Sequence, residues 1–179
     1  MKEGEAPICE VWTIGHSTRT LEQFCGLLKQ HEIAALADVR RFPGSRRHPH
    51  FNQRALSQSI GDAQVQYVHF PELGGRRRAR PDSPNTAWRN EGFRGYADYM
   101  MSDGFRAGIE RLVELATAKR TALMCAEALW WQCHRALIAD YLKAIGCTVR
   151  HILSESKTEL HRYTAPARVV EGRVCYTSA

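Results

Sequence analysis

The feature that most limits how this chain can fold is a regular alternation of two kinds of segment. Short apolar runs rich in β-branched and aromatic residues occupy residues 11–14, 34–39, 65–69, 122–125 and 148–153, as is typical of buried strands. Helical patterns lie in the gaps between them. Such alternation favours right-handed crossovers and a parallel sheet covered on both faces. We therefore predict an α/β fold of the Rossmann-like, doubly wound type. Its mainly parallel sheet has about five strands, in an order that the sequence does not fix.

Capping residues indicate where the helices begin. Residues 20–23 read Thr-Leu-Glu-Gln, which is a capping box. Asn52 and Asp103 precede the next two helical patterns and are predicted to cap them. The fourth helix is predicted to open at residues 133–135. Helices therefore follow the first, second, third and fourth strands.

The length and composition are those of one globular domain. The chain has 179 residues, of which 44% are hydrophobic and 25% charged. We predict a single domain at residues 9–165, followed by a peripheral tail or short hairpin at residues 166–179. No apolar run approaches the roughly 20 residues of a membrane span, and no signal-peptide pattern opens the chain. Six cysteines without a CxxC pair are predicted to be reduced. A cytoplasmic location is expected.

Positive charge is concentrated in two predicted loops. The formal net charge is +6, and residues 40–54 hold five arginines and no acidic residue, while residues 76–80 hold four arginines. Loops of this kind bind nucleic-acid phosphates, although a solvated surface is the simpler alternative. If the two loops meet, we expect arginines of both to contact nucleic acid: Arg46, Arg47, Arg76, Arg77 and Arg78.

Polar residues follow the predicted strands at one edge of the sheet. His16 and Ser17 come after the first strand, Asp38 and Arg40 end the second, and residues 125–135 follow the fourth. Ligands of open α/β sheets bind beyond the carboxyl ends of the strands. These residues are therefore predicted to converge on one pocket.

Residues 121–135 bring two thiols, a carboxylate, an imidazole and a guanidinium to one strand-to-helix turn. Glu127 lies near Trp130 and Trp131, where partial desolvation would raise its pKa and suit it to general acid/base catalysis. Glu127 is therefore the first predicted catalytic residue. The others are Cys125, His134 and Asp38.

Structural roles compete with catalytic ones at the same positions. Cys125 has the features of a small core residue, and the arginine that a cysteine phosphatase carries six positions after its cysteine is absent here. Ion pairs between Asp38 and Arg40, and between Glu127 and Arg135, would only hold the loops. Both alternatives remain open from the sequence.

Anions are expected at this strand-to-helix turn. Its backbone N–H groups and the positive end of the helix dipole favour thiolates and phosphates. An arginine in the first turn opposes that dipole, so Arg135 requires an anionic partner. The predicted anion-binding residues are Arg135, Arg40, Ser45, His16 and Ser17.

Cofactors are not indicated, whereas a nucleotide or nucleic-acid ligand is. Cys125, Cys133 and His134 have the side chains that bind zinc or iron, but their spacing matches no common site, so no metal is predicted. Trp130 and Trp131 would stack on bases while arginines contact phosphates. The predicted partner is a nucleotide or nucleic acid, with no membrane. The oligomeric state is not readable.

Several motifs together resemble a known family. They are residues 13–17 (TIGHS), 38–40 (DVR) with Pro43 and Ser45, 73–75 (LGG), 95–99 (GYADY), and Cys125 and Glu127 with residues 133–135 (CHR). Over about residues 11–163 the chain is similar to domain-of-unknown-function family 488. The resemblance implies a compact α/β domain and carries no established general activity.

The residues favour an uncharacterised cytoplasmic enzyme, a hydrolase or group transferase acting on a phosphate-bearing, nucleotide-like or nucleic-acid substrate. Neither a GxGxxG nor a P-loop sequence is present, so a dinucleotide or an NTP-driven reaction is not indicated. The alternatives are a non-catalytic nucleic-acid-binding module and a thiol or metal sensor. Catalysis requires a deep polar pocket around Glu127, binding alone requires a broad basic face, and a sensor requires two thiols within reach of each other.

Overall fold

The computed structural model describes residues 8–178 and has a six-stranded sheet at its centre. The strands are β1 (Glu10–Gly15), β2 (Ala35–Asp38), β3 (Gln66–His69), β4 (Thr121–Cys125), β5 (Thr148–Ile152) and β6 (Thr158–Leu160). Their spatial order is β3-β2-β4-β1-β5-β6. The first five strands pair in parallel, and β6 is an antiparallel edge strand. The predicted Rossmann-like α/β fold is confirmed, with one strand more than expected.

Five helices cover the two faces of the sheet. They are α1 (Leu21–Gln30), α2 (Gln53–Asp62), α3 (Glu91–Tyr99), α4 (Asp103–Ala118) and α5 (Arg135–Ala144). One hydrophobic core lies between the sheet and α1 and α2, and a second lies between the sheet and α3, α4 and α5. Strands β2 and β4 are buried on both faces, and their sequences are largely apolar. The limits predicted for the five parallel strands agree with the structure to within one residue at each end.

The helix caps agree only in part with the sequence. The capping box at residues 20–23 is confirmed. Asn52 is at the cap position of α2, but its Oδ1 accepts a hydrogen bond from the Ser45 N–H instead of capping the helix. The cap of α4 is Ser102, whose hydroxyl accepts from the Phe105 N–H, so the prediction of Asp103 is wrong by one residue. Asp103 is the first residue of the helix, where its charge favours the dipole.

Helix α3 was not predicted from the sequence, although Phe93, Tyr96, Ala97 and Met100 recur at helical spacing and pack in the core. Residues 95–98 are consecutive and all buried. Gly95 faces the main chain of residues 77–79, which leaves no room for a Cβ. Asp98 accepts hydrogen bonds from Ser83 and Asn85 side chains. Helix α3 is therefore buried on polar as well as apolar sides.

The C-terminal segment is a hairpin that ends in the core. Strands β7 (Arg168–Val170) and β8 (Arg173–Cys175) pair antiparallel. Tyr176 follows them and is buried, and its hydroxyl donates to Asp140 Oδ2 of α5 at 2.9 Å. The segment predicted as peripheral is thus anchored on α5. None of the helices in residues 8–178 is both long and apolar enough to cross a membrane.

The connections out of β1 and β4 create a crevice between these neighbouring strands. The chain leaves β1 through α1 on one face of the sheet, and it leaves β4 through α5 on the other face. Loops that diverge in this way open a space beyond the carboxyl ends of the two strands, which is the usual ligand position in open α/β sheets. The fold therefore places a crevice at the segment that the sequence singled out.

Candidate functional site

A cavity of about 740 Å³ opens at this edge of the sheet. It brings together nine of the residues predicted from the sequence: His16, Ser17, Arg40, Ser45, Arg47, Arg76, Cys125, Glu127 and His134. Cys133 lines it as well. The remaining predicted residues lie outside its lining: Asp38, Arg46, Arg77, Arg78, Trp130, Trp131 and Arg135.

Main-chain hydrogen bonds fix the loop after β1 against the loop after β4. The N–H of His16 donates to Cys125 O at 3.0 Å, and the N–H of Ser17 donates to Ala126 O at 2.8 Å. These bonds continue the β1–β4 pairing beyond the sheet. Gly15 permits the close approach, because a Cβ there would collide with the carbonyl group of Glu127. The two loops thus form one rigid wall of the cavity.

The thiols of Cys125 and Cys133 are in direct contact. Cys125 ends β4, Cys133 precedes α5, and their Sγ atoms are 2.7 Å apart. Arg135 donates to Cys133 Sγ from its main-chain N at 3.4 Å and from Nε at 3.3 Å. Cys133 is 7% exposed and Cys125 only 2%. Cys133 is therefore the thiol that a molecule in the cavity reaches first, and Cys125 lies behind it.

The environment of Cys133 favours its thiolate. Burial alone would raise the pKa of Cys133, but the hydrogen bond with Cys125 and the charge and N–H groups of Arg135 outweigh burial and lower this pKa. Burial and the contact with Cys133 raise the pKa of the Cys125 thiol. The arrangement therefore favours a negative charge on Cys133 and a proton on Cys125.

Arg135 is buried beneath the cavity and does not line it. Its Nη2 donates to the carbonyl oxygens of Glu127 and Ala128, and its Nη1 donates to Thr13 Oγ1 at 3.3 Å. With Nε on Cys133, all three nitrogens are bonded within the protein. The predicted role as an anion-binding residue for a ligand is therefore corrected. The anion that Arg135 requires is the Cys133 thiolate.

The side chain of Glu127 is in a different setting from the predicted one. Residue 127 is exposed, so partial desolvation does not apply to its carboxylate. The predicted ion pair between Glu127 and Arg135 does not form, because Arg135 takes the Glu127 carbonyl oxygen instead. Glu127 still lines the cavity, and it is the only acidic residue in that lining within the described chain. It remains available for proton transfer at the rim.

Asp38, Arg40 and His16 form a buried cluster in the cavity wall. Arg40 donates to both carboxylate oxygens of Asp38, at 2.9 Å from Nε and 2.6 Å from Nη2. The expected ion pair is thus present, and Tyr67 also donates to Asp38. His16 Nδ1 donates to Ser17 O at 2.9 Å, so its Nε2 is the nitrogen that faces Arg40 Nη1 at 3.5 Å.

This cluster keeps His16 neutral and gives Asp38 a structural role. Burial is the main cause that lowers the pKa of His16 to about 4. The charge of Arg40 acts in the same direction, whereas the hydrogen bond to Ser17 and the charge of Asp38 oppose the shift. The carboxylate of Asp38 is fully buried under Arg40 and Tyr67 and is not in the cavity lining. The structure therefore favours the alternative in which Asp38 holds Arg40 in place.

His134 is held between the main chain and an aromatic ring. Its Nε2 donates to Val39 O at 2.9 Å, and its ring lies 5.0 Å from that of Tyr96. Gly75 packs directly on the imidazole, where a Cβ would be too close to Nδ1. Burial lowers the pKa of His134 to about 4. His134 therefore presents a neutral imidazole to the cavity, with Nδ1 unprotonated.

The two basic loops meet at the cavity rim. Arg41 Nη1 donates to Arg76 O at 3.0 Å, which ties residues 40–54 to residues 76–80. Arg41, Arg47 and Arg76 are exposed and line the cavity. Ser45 also lines it, and its hydroxyl already accepts from the His48 N–H. The rim is therefore strongly positive.

The other arginines of these loops have different positions. Arg46 and Arg78 are exposed outside the cavity lining. Arg77 makes its contacts within the protein. Its guanidinium lies 3.6 Å from the centre of the Tyr99 ring and donates to Gly74 O. The positive surface thus extends beyond the cavity through Arg46 and Arg78, but not through Arg77.

The two tryptophans after Cys125 do not line the cavity. Trp130 stacks on His151, with ring centroids 4.4 Å apart, and its Nε1–H donates to Glu159. Trp131 is 48% exposed but faces away from the cavity lining. A 3₁₀ turn at Trp130–Gln132 directs Trp130 toward β5. Trp130 is therefore occupied within the protein, whereas the stacking of a base on Trp131 stays a prediction.

The cysteines and histidine considered for metal binding do not form a metal site. Across residues 8–178 there is no group of three His, Cys, Asp or Glu side chains placed to hold a metal ion. His134 Nε2 is already hydrogen bonded to Val39 O. Cys133 Sγ is occupied by Cys125 and Arg135.

Thr13 and His151 support the site but were not identified from the sequence. Thr13 is the acceptor for Arg135 Nη1, and its hydroxyl is 2.7 Å from His151 Nδ1. Both side chains are buried within strands that otherwise carry apolar residues on the same face. A polar residue in the middle of a buried strand is the signal that would have found them.

Comparison with known proteins gives a family without a described activity. The model of the family described as "Domain of unknown function DUF488" matches residues 20–142. No curated protein and no solved structure matches the chain. The matched segment contains β4, the cavity-lining thiols and both basic loops. Because the match spans more than half of the chain, this protein belongs to the DUF488 family.

Proposed function

We propose that this protein is an enzyme, a hydrolase or group transferase, that binds a phosphate-bearing, nucleotide-like or nucleic-acid substrate and attacks it with the Cys133 thiolate. The observation that carries the proposal is the setting of Cys133. Its Sγ accepts two N–H groups of Arg135, and the residue lines the basic cavity with Cys125 behind it. A thiolate in contact with a buried cation at the floor of a cavity is the arrangement of an activated nucleophile.

The reaction follows from these groups. The Cys133 thiolate forms a bond to an electrophilic carbon or phosphorus of the substrate, while the bond to the leaving group breaks and the leaving group takes its electron pair. Water or an acceptor alcohol then displaces the thiolate from the intermediate. The leaving group takes a proton from water. In the second step the Glu127 carboxylate accepts the proton of the water or alcohol and then releases it to solvent. Neutral His16 and His134 are further proton acceptors in the lining.

The charge of the rim supports an anionic substrate. Arg41, Arg47 and Arg76 line the cavity, and the charge of Arg40 is balanced by Asp38. Three unbalanced guanidinium groups therefore face one carboxylate, Glu127. Arginines bind phosphate oxygens through parallel N–H groups, which gives such a rim a preference for phosphate over neutral ligands.

The first test is protection of Cys133 from alkylation. Iodoacetamide is uncharged, so any protection by AMP or by single-stranded oligothymidylate reports occupancy of the cavity. Mass spectrometry of the digested protein should show that AMP slows alkylation of Cys133 and leaves Cys175 unaffected, because Cys175 is half-buried in the distant hairpin. Arg47→Ala and Arg76→Ala should weaken the protection, whereas Arg168→Ala, an exposed arginine of the same hairpin, should not.

The second test is turnover of p-nitrophenyl esters of acetate, phosphate and thymidine 5′-phosphate. Cys133→Ser should abolish turnover, and Glu127→Gln should reduce it without changing AMP protection. The proposal is overturned if no anion protects Cys133 and none of the esters is cleaved. It is also overturned if cleavage survives Cys133→Ser.

A thiol sensor is a second candidate, favoured by the contact between the Cys125 and Cys133 sulfurs. Hydrogen peroxide would oxidise the Cys133 thiolate to a sulfenic acid and release hydroxide. The Cys125 thiol would then displace water from that sulfur and form a disulfide. Under this candidate Cys125→Ser prevents the disulfide and leaves Cys133 at the sulfenic acid, whereas under the first candidate Cys125→Ser retains ester turnover.

A further inference from the structure

A chain of buried hydrogen bonds runs from Arg135 away from the cavity to Asp140. Arg135 Nη1 donates to Thr13 Oγ1 at 3.3 Å, and Thr13 Oγ1 is 2.7 Å from His151 Nδ1. His151 Nε2 is 2.9 Å from His161 Nδ1, and His161 Nε2 is 2.8 Å from Asp140 Oδ1. None of the five side chains is more than 2% exposed. The chain joins β1, β5, α5 and the segment after β6.

The two ends of the chain determine where its protons lie. Arg135 can only donate, and the Asp140 carboxylate accepts. His161 therefore carries its proton on Nε2 and accepts at Nδ1 from the Nε2–H of His151. His151 in turn accepts at Nδ1 from the Thr13 hydroxyl, whose oxygen is left to accept from Arg135. In this arrangement every donor in the chain points toward Asp140.

The Asp140 end of the chain is held by the C-terminal part of the protein. Asp140 Oδ1 also accepts from the Thr164 N–H at 2.9 Å, and Oδ2 accepts from the hydroxyl groups of Thr164 at 2.6 Å and Tyr176 at 2.9 Å. These bonds use both carboxylate oxygens. Of the five residues of the chain, only Arg135 and Asp140 fall within the family match at residues 20–142.

The orientation of the Arg135 guanidinium depends on Thr13. Nη2 is bonded to the carbonyl oxygens of Glu127 and Ala128, and Nη1 has Thr13 Oγ1 as its acceptor among the described residues. A planar guanidinium held at both Nη atoms has its Nε–H direction fixed, and that N–H donates to Cys133 Sγ. Without the Thr13 acceptor, Nη1 would be a buried donor lacking a partner, and the group would turn to find one.

We propose that Thr13, His151, His161 and Asp140 are positioning residues that hold Arg135 against the Cys133 thiolate. The inference rests on the proposed function in taking Cys133 as the reactive group. It goes further by assigning a site role to residues that touch neither the cavity nor the sulfur. Cys125 and Arg135 are the residues hydrogen bonded to Cys133 Sγ in the described part of the protein, and the buried Tyr96 phenol lies within electrostatic range of both thiols.

The test measures the pH at which alkylation of Cys133 by iodoacetamide is half-maximal, for the intact protein and its variants. Thr13→Val removes the hydroxyl with little change of shape, and it should raise this midpoint by roughly half a unit to one unit. Thr13→Ser restores the hydroxyl and should return the midpoint to that of the wild type. His161→Phe breaks the chain two links from Arg135 and should raise the midpoint in the same direction.

A matched control separates positioning from loss of packing. Leu142→Ala removes a fully buried apolar side chain of α5 that takes no part in the hydrogen bonds of the chain, so it should lower the melting temperature and leave the midpoint unchanged. If Leu142→Ala moves the midpoint as far as His161→Phe does, the positioning role is overturned. It is equally overturned if wild-type Cys133 has a low midpoint that neither Thr13→Val nor His161→Phe changes, and the proposed function then stands. A wild-type midpoint at the ordinary cysteine value of about 8.5 would instead overturn both.

Discussion

Acidification from pH 7 to pH 5 should destabilise the folded protein, because two buried histidines are held neutral in it. Burial lowers the pKa of His16 to about 4, and the charge of Arg40 contributes. Burial lowers the pKa of His151 to about 2, with further contributions from His161 and Arg135. In the unfolded chain both imidazoles titrate near the ordinary value of about 6.5.

The sign and size of the effect follow from proton linkage. A histidine whose pKa is lower in the folded state binds fewer protons when folded, so its contribution to stability is lost as the pH falls below about 6.5. With a folded pKa of 4 or less, the free energy of unfolding falls by about 2 kcal/mol per histidine between pH 7 and pH 5. His16 and His151 together remove about 4 kcal/mol, a large part of the roughly 5–15 kcal/mol that stabilises a domain. His134, whose pKa burial also lowers to about 4, adds to this loss.

Urea denaturation at both pH values measures this loss. His151→Gln keeps a polar side chain that cannot be protonated, so the difference between pH 7 and pH 5 should shrink by about 2 kcal/mol even if the variant is less stable at both. Leu142→Ala should lower the free energy of unfolding equally at the two pH values. A wild-type difference below about 1 kcal/mol would refute the reasoning, because neither histidine would then be held neutral by burial.

Three further outcomes are expected. Peroxide should join Cys125 and Cys133 in a disulfide that dithiothreitol reverses, seen by mass spectrometry as a loss of two hydrogens; persistent free thiols would argue against their contact. Replacing both Arg76 and Arg78 by alanine should lower the slope of log affinity for single-stranded DNA against log salt by roughly 1 to 1.5. An unchanged slope would indicate that Arg76 and Arg78 contribute to solubility and not to DNA binding. Gly15→Ala should displace the loop after β4, destabilising the protein by about 1–3 kcal/mol in urea titrations and slowing Cys133 alkylation; equal stability would contradict the close approach.

The parallel strands could be predicted from the sequence because buried strands are rich in apolar residues. The five runs are largely apolar, since helices cover both faces of the sheet, although the edge strand β3 is partly exposed and β5 carries Arg150 and His151. Strand order depends on which distant segments pair with each other, and no local sequence pattern predicts that pairing. The short strand at Thr158–Leu160 was missed for a related reason, because it lies at the edge of the sheet and only its partner β5 shields it.

The contents of the cavity were more predictable than the directions of its side chains. The rule that ligands bind at the carboxyl edge brought His16, Arg40 and Cys125 together correctly. It gives no information on orientation within a loop. Trp130 and Arg135 both turn inward, because β5 offers a flat imidazole to the first and β1 offers a hydroxyl to the second. The partners of Trp130 and Arg135 are distant in sequence, so residue spacing cannot predict them.

The acid lability and the proposed positioning role have one physical origin. With His151 neutral, its Nδ1 accepts from the Thr13 hydroxyl, and the same hydroxyl oxygen accepts from Arg135. A proton on Nδ1 would reverse the first bond and leave the buried Thr13 hydroxyl hydrogen without its acceptor, so the hydroxyl that holds Arg135 would turn to find another. Protonation of His151 therefore opposes the placement of Arg135 as well as the fold. An apolar residue at this position would remove the acid lability, and replacing a buried polar network by packed apolar groups is often neutral for stability. It would also free the Thr13 hydroxyl to rotate and loosen the contact with Cys133. Stability alone thus gives no reason for a histidine in the middle of β5, whereas holding Arg135 on the thiolate does.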